Sequence, residues 1–421
     1  MRISKQNNYI IIYYAILLLI MAMRTSVLAP NPILRIVYLL ALFVPLVIKF
    51  TYLYLPCIIT FMTVCTYNFA FGYLPYETNI YFFLSILALI LIIGLHSIKS
   101  IKLDPVILFT IFYVAIRNIL DSGQLHDMFY ATSTIAIGSM LLSKDRSINR
   151  YAMLMSFGII SLVLSSLYLI NYEQFLESYN STDNLDRSGW TDPNYLSCLI
   201  GMGIVTSLIL ILKERTAKLY LKILWWSTIV ISFISQVLIA SRGGLLCVAI
   251  TSLILILFAD IKFKFKLFIL IVATIFLFFL YNNNYFDLLI YRVENDVSGG
   301  SGRLGIWELK INAFIAENNI LSWIFGVGYD SAFRLGYDTN GFGFHNDYLA
   351  ILCGYGLVGV IIFTYLLFVY PFQRITSDKF IVISLVSYLA VTCLTLEPIS
   401  AGRLPYIGFY ALILACTPKK D

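Results

Sequence analysis

Runs of roughly 16 to 22 apolar residues, divided by short polar or basic segments, recur from Tyr9 to the C-terminus. A helix of about 20 residues is long enough to cross the hydrocarbon of a bilayer. Strands of a transmembrane barrel would be about half that length and would alternate in polarity. The pattern predicts helices over 9–29, 33–48, 51–71, 79–98, 105–120, 128–142, 151–171, 192–212, 219–240, 245–259, 266–281, 346–370, 380–396 and 405–416. That is about fourteen spans, or about twelve if the second and last fall short of the membrane thickness. The first run reads as a span rather than a cleaved leader, because Met23-Arg24-Thr25 offers no small-residue cleavage site and a second apolar run follows at once. The expected architecture is therefore an all-α polytopic membrane protein forming one integral-membrane domain over 1–421.

One interval breaks this rhythm. Residues 282–345 form a long polar segment with short helical patterns of its own. Trp307, Ile311, Phe314 and Ile315 recur at helical spacing, with Glu308, Lys310, Asn312 and Glu317 on the other side, which predicts an amphipathic helix lying in the membrane interface. A second short apolar run, ILSWIFGVGYDSAF, passes Gly326 and Gly328 and leads through Arg334 to GFGFHN.

Composition agrees with the pattern. The chain is 60% hydrophobic and only 12% charged, and its mean hydropathy is +0.86. Soluble domains carry about a quarter charged residues, so a soluble globule is excluded. Basic clusters at Lys49, Lys99 with Lys102, Lys144 to Arg150, Lys213 to Lys222, Lys262 to Lys266, Arg374 with Lys379, and Lys419 with Lys420 occupy alternate loops. The positive-inside rule then places both termini in the cytoplasm and the 282–345 segment outside. The seven cysteines all fall in predicted spans and read as small packing residues, with no disulfide or metal framework.

The two basic residue types separate by side. On this topology fourteen of the fifteen lysines are cytoplasmic, Lys310 being the exception, whereas nine of the fourteen arginines (Arg24, Arg35, Arg117, Arg187, Arg242, Arg292, Arg303, Arg334 and Arg403) lie at or near the outer face. Snorkelling would suit lysine equally well. A planar guanidinium that stays charged is suited to a bidentate phosphate or carboxylate partner. Seventeen of the twenty-three acidic residues are also outside, so some of these arginines are paired.

The outer segments differ in what they offer. DSGQLHD, with His126 beside two aspartates, reads as a solvated turn without metal-ligand spacing. The 172–191 segment carries Arg187 and Trp190 and ends in TDPNYL, where Asp192 reads as an N-cap and Pro193 as the first helical residue, with Asn194 beside them. ASRGGLL sets Arg242 at a tight turn before Gly243 and Gly244, a place where backbone can approach a ligand closely and amide donors open a helix. SGGSGRLGIW likewise sets Arg303 at the positive end of a helix, a conflict with the helix dipole that a bound anion would resolve.

His345 then stands at the lip of an apolar helix, followed by Asn346, Gly356 and Gly359. A histidine, then Asn, Ser or Gln, nine residues, Gly, two residues and Gly resembles the signature of the O-antigen ligase and polymerase superfamily of membrane glycosyltransferases. The SRGG turn with Arg242 and SGRLGIW with Arg303 resemble that family's two arginine positions, and the likeness covers roughly 185–360. Ligases often carry Leu four positions after the second arginine, where this chain has Trp307, and DPNYL with SRGG looks more like the repeat-unit polymerases.

The resemblance implies inverting glycosyl transfer on the outer face of the bacterial cytoplasmic membrane, without metal or cofactor. Undecaprenyl-diphosphate-linked oligosaccharides would be donor and acceptor. Membrane lipids and a chain-length regulator would be its partners, and nucleic acid would not. His345, with an ordinary pKa of about 6.5, would accept the acceptor hydroxyl proton. Arg242 and Arg303 would hold the diphosphate. Arg187, Asp192, Asn194, Arg334 and Asn346 are further candidates for substrate contact. The alternatives are a ligase that moves the lipid-linked glycan to lipid A core and, from another class, a lipid or polysaccharide transporter. Transporters place ionisable groups near the midplane and show internal repeats; here no repeat is evident and the charges within spans cluster at their ends.

Overall fold

The computed structural model describes residues 105–122, 150–173, 193–214, 216–294, 302–337, 342–374 and 379–400, with single positions between Tyr406 and Cys416. The predicted spans at 9–29, 33–48, 51–71, 79–98 and 128–142 lie outside the described residues, as do His126, Arg187, Asp192, Gly299, Cys57 and Cys65. Every element among the described residues is helical. We number them α1 (Pro105–Ser122), α2 (Arg150–Ile170), α3 (Pro193–Lys213), α4 (Leu219–Ile239), α5 (Arg242–Phe258), α6 (Phe263–Asn282), α7 (Asp287–Glu294), α8 (Arg303–Ala316), α9 (Ile320–Phe325), α10 (Tyr329–Arg334), α11 (Asp347–Thr364) and α12 (Lys379–Thr395). Five stretches, in α2, α3, α4, α6 and α11 with its π-helical continuation to Val369, are long and apolar enough to cross a membrane. Helices α5 and α12 are shorter apolar helices.

The contacts divide the chain into two units. The first contains α2, α3, α4 and the opening turns of α5 as far as Val248. Helix α3 is buried along nearly its whole length, as expected of a helix apolar all round. Small and hydroxyl residues let its neighbours approach. Ser161 donates to the Ile200 carbonyl at 2.7 Å and lies 2.8 Å from the Ser232 hydroxyl, and Ser235 donates to the Ser165 carbonyl at 3.1 Å. Gln236 donates to the Ser197 carbonyl at 3.0 Å. In lipid, where apolar burial between helices gives little driving force, such close polar packing is the ordinary source of association.

The second unit contains α1, the remainder of α5 and α6 to α12. Of α6 only Leu280 is buried. Helix α11 is the axis of this unit, with α1, α8, α9, α10 and α12 all packed on it. Beneath its N-terminus, Phe314, Ala332, Leu335, Phe344, Ala350 and Cys353 form one apolar core. Within the segment expected as an outer loop with short helices of its own, the described residues form four short helices, three of which pack on α11.

The amphipathic reading of α8 needs one correction. Lys310 does not belong to its polar face: it is fully buried, together with Phe314, while Ile315 is half exposed. The inward stripe runs through Trp307, Lys310 and Phe314, at i, i+3 and i+7. Burial is tolerated because the Lys310 ammonium donates to the carbonyls of Ala332 and Phe333 at 2.9 and 2.7 Å, at the negative end of α10.

Candidate functional site

The rim is built where α11 begins. Asn346 is its N-cap, with the side-chain oxygen accepting the Leu349 N–H at 3.2 Å. That use of the amide is what the position demands, because the first N–H groups of a helix have no internal partner. Asp347 follows, completely buried. Its N–H donates to the Leu396 carbonyl at 3.0 Å. Its carboxylate accepts the Ile399 and Ser400 N–H groups at 2.9 and 2.8 Å and the Ser400 hydroxyl at 2.5 Å. The stretch after α12 is thereby stitched to the start of α11.

His345 precedes this stitch with φ of +50°. The left-handed region is uncommon for residues other than glycine, and cost of that kind concentrates at functional sites. Its N–H and that of Phe344 donate to Glu397, which is 4% exposed. Burial, and then the neighbouring Asp347 carboxylate, push the Glu397 carboxyl up to about 7, against the pull of those amides and of Lys310. Burial likewise lowers Lys310 to about 8, opposed by Glu397. The Lys310 ammonium also stands 4.5 Å from the Phe344 ring centroid.

Helix α8 holds the same place through Trp307. Gly302 is its N-cap in the left-handed region and Arg303 is its first helical residue, as the glycine run predicts. One turn on, the Trp307 indole N–H donates to the Phe344 carbonyl at 2.6 Å. Residues four apart share a helix face. Arg303 therefore lies one turn from the clamp on Phe344, and His345 is the next residue along the chain. Trp307, which departs from the ligase pattern, is itself part of the clamp.

The signature glycines have a structural use. Gly356 interrupts α11 with φ 66° and ψ −166°, a combination essentially confined to glycine. The break releases carbonyls that are satisfied from outside the helix: Cys353 by the Val327 N–H at 2.8 Å, Gly354 by the Gly328 N–H at 2.9 Å, and Tyr355 by the Tyr113 hydroxyl at 2.6 Å. Helix α1 locks the inserted turn. Arg117 donates to the Gly326 carbonyl at 2.7 Å, and Asp121 accepts the Asp330 and Ser331 N–H groups at 2.7 and 3.1 Å and the Ser331 hydroxyl. Asp121, expected in a solvated turn, instead caps α10. Arg117, grouped by sequence with outer-face phosphate ligands, is engaged with backbone.

Arg242 and Asn194 belong to the first unit. Ala240 ends α4 in the left-handed region, and Arg242 is the first residue of α5, half-buried. Ser241 between them donates to the Asn194 side-chain oxygen at 3.0 Å, so Asn194 ties the start of α3 to the arginine turn. Gly244 serves helix packing rather than a ligand: a Cβ there would fall 2.1 Å from the Ser197 hydroxyl of α3. In the second unit Arg334 is exposed and pairs with Asp330 at 2.9 Å.

The structure thus bonds Trp307, one turn after Arg303, to Phe344, the residue before His345, and bonds Asn194 to Ser241, the residue before Arg242. Sequence reading did not find the parts played by Asp347, Glu397 and Lys310. Their only signal was an acid or base at an apolar boundary. Residues 227–364 match the family model described as O-antigen ligase, a stretch that begins within α4, ends with α11 and includes Arg242, Arg303, His345, Asn346, Gly356 and Gly359. No curated protein is significantly similar to the chain. Over that segment, about a third of the chain, the protein is similar to the O-antigen ligase family, and the likeness together with the apolar helices supports a multi-pass bacterial membrane protein with a glycosyltransferase type of activity on lipid-linked glycans.

Proposed function

We propose that the chain is a polymerase that joins undecaprenyl-diphosphate-linked oligosaccharide repeats on the outer face of the cytoplasmic membrane. The observation that carries this reading is His345, held out of helical geometry at the lip of α11 with Arg303 a helical turn from its clamp. The acceptor hydroxyl oxygen attacks the anomeric carbon from the face opposite the leaving group. A new glycosidic bond forms, the bond to the diphosphate oxygen breaks with inversion, and the hydroxyl proton passes to the His345 imidazole. Negative charge growing on the departing diphosphate is met by Arg242 and Arg303, each at the first position of a helix, where free amide hydrogens add to the positive field. The lipid diphosphate is an activated leaving group, so the chemistry requires no metal. Asn194, Arg187, Asp192, Arg334 and Asn346 are the further residues that would contact the glycan, Asn194 beside its bond to Ser241 and Asn346 as the N-cap of α11. A chain-length regulator is the expected protein partner.

Ligation to lipid A core is the second reading, favoured by the description of the matching family model. Purified protein in liposomes, given lipid-linked repeats and no core acceptor, separates the two. Ladders of lengthening lipid-linked glycan support polymerase. Transfer seen only after core is added supports ligase.

A further inference from the structure

Resting on the reading of His345 as the proton acceptor, we infer that Glu397 is the positioning residue of the reaction, its carboxylate fixing the backbone at Phe344 and His345 and so the place of the imidazole. Three independent features converge on this group. It is almost fully buried, although it lies in the polar stretch that follows α12. It accepts two consecutive backbone N–H groups, those of Phe344 and His345. Gly343 leaves room for it, since a Cβ on that glycine would stand 3.1 Å from one carboxylate oxygen and 3.3 Å from the other.

Left-handed backbone at a histidine is unfavourable unless neighbours over-determine it. A carboxylate accepting adjacent amides does so, as does the Trp307 bond to the Phe344 carbonyl, and Asn346 and Asp347 fix the next two residues. The charged groups facing Glu397 are Asp347 from α11 and Lys310 from α8. Lys310 is bound to the α10 carbonyls, so it balances the carboxylate while leaving the two amides as its hydrogen-bond donors. Glutamine is nearly isosteric but neutral, so the two amides would keep an acceptor and lose its charge.

The test uses the full-length protein in liposomes with lipid-linked repeats as substrate. Glu397→Gln is expected to lower kcat about tenfold to a hundredfold, the loss of a charge-assisted hydrogen bond, with KM for the donor within about twofold. With the chain's other two histidines, His96 and His126, replaced by glutamine, carbethoxylation of His345 by diethyl pyrocarbonate reads the same placement without catalysis. Its rate should change about threefold or more in Glu397→Gln. Should Glu397→Gln fail to fold, Gly343→Ala keeps the charge and displaces the carboxylate, and the same fall in kcat at unchanged KM is expected of it. Wild-type kcat together with an unchanged His345 modification rate, in whichever of the two variants folds, would overturn the inference. Full activity of His345→Ala would instead overturn the reading of the histidine as base, and the modification rate would still decide what Glu397 does.

Discussion

Replacing Gly356 by alanine should unfold the second unit. The added Cβ would fall 2.4 Å from the Gly326 nitrogen and 2.5 Å from the carbonyl carbon and oxygen of Ile324, all of them backbone atoms with no rotamer to yield. The backbone term alone is about 1–3 kcal/mol for a conformation reserved to glycine. Relaxing the kink to relieve it would break the bonds that Val327, Gly328 and Tyr113 make to the freed carbonyls, about 1 kcal/mol each. The sum, about 4–6 kcal/mol, is comparable with the whole stability of many domains. Tryptophan fluorescence melts of the detergent-solubilised protein would read it as a Tm lower by more than about 10 °C or as loss of a cooperative transition. Gly305→Ala is the control: it lies in α8 with open space around it and should gain up to about 1 kcal/mol of helix propensity. A Gly356→Ala protein melting within about 2 °C of wild type would refute the assignment of this glycine to the fold.

Asp347→Asn keeps one accepting oxygen but turns an NH2 toward the Ile399 or Ser400 donors, and should destabilise by about 2–4 kcal/mol in the same melt. Trp307→Phe removes the 2.6 Å bond to the Phe344 carbonyl and should cost about 1 kcal/mol of stability while slowing transfer about tenfold. Glu397, raised to about 7 in the folded protein, binds its proton more tightly there than in the unfolded chain, so its contribution to stability is present below the ordinary carboxyl range and is lost as pH rises to about 7. The fall in Tm between pH 5 and pH 7.5 should therefore be steeper in wild type than in Glu397→Gln, with Asp347 and Lys310 present in both. Equal slopes would contradict the raised value.

The helical plan was legible because it depends on local composition. The run at 219–240 is α4 at Leu219–Ile239, and that at 380–396 is α12 at Lys379–Thr395. Helix starts were legible too wherever a cap or glycine marks them, as at Arg303 and Pro193. What the sequence concealed is pairing over distance. Asp121 meets Ser331 across 210 positions and Arg117 meets Gly326 across 209, so neither partner marks the other locally. Lys310 was misplaced because a charge on an amphipathic pattern is assigned to solvent by default, while its real partners are the carbonyls at the end of α10. The glycines of the signature were read beside the histidine as one chemical motif. Gly356 is instead the break into which the turn at Gly326 inserts.

The most direct measurement follows release of lipid diphosphate from a radiolabelled lipid-linked repeat in a single turnover, comparing wild type with His345→Ala and Arg303→Ala in liposomes. Loss of a general base should slow the step about a hundredfold or more in His345→Ala with donor binding retained, and Arg303→Ala should lose a similar factor through the leaving group. Release within about tenfold of wild type in His345→Ala would contradict a transfer centred on this histidine.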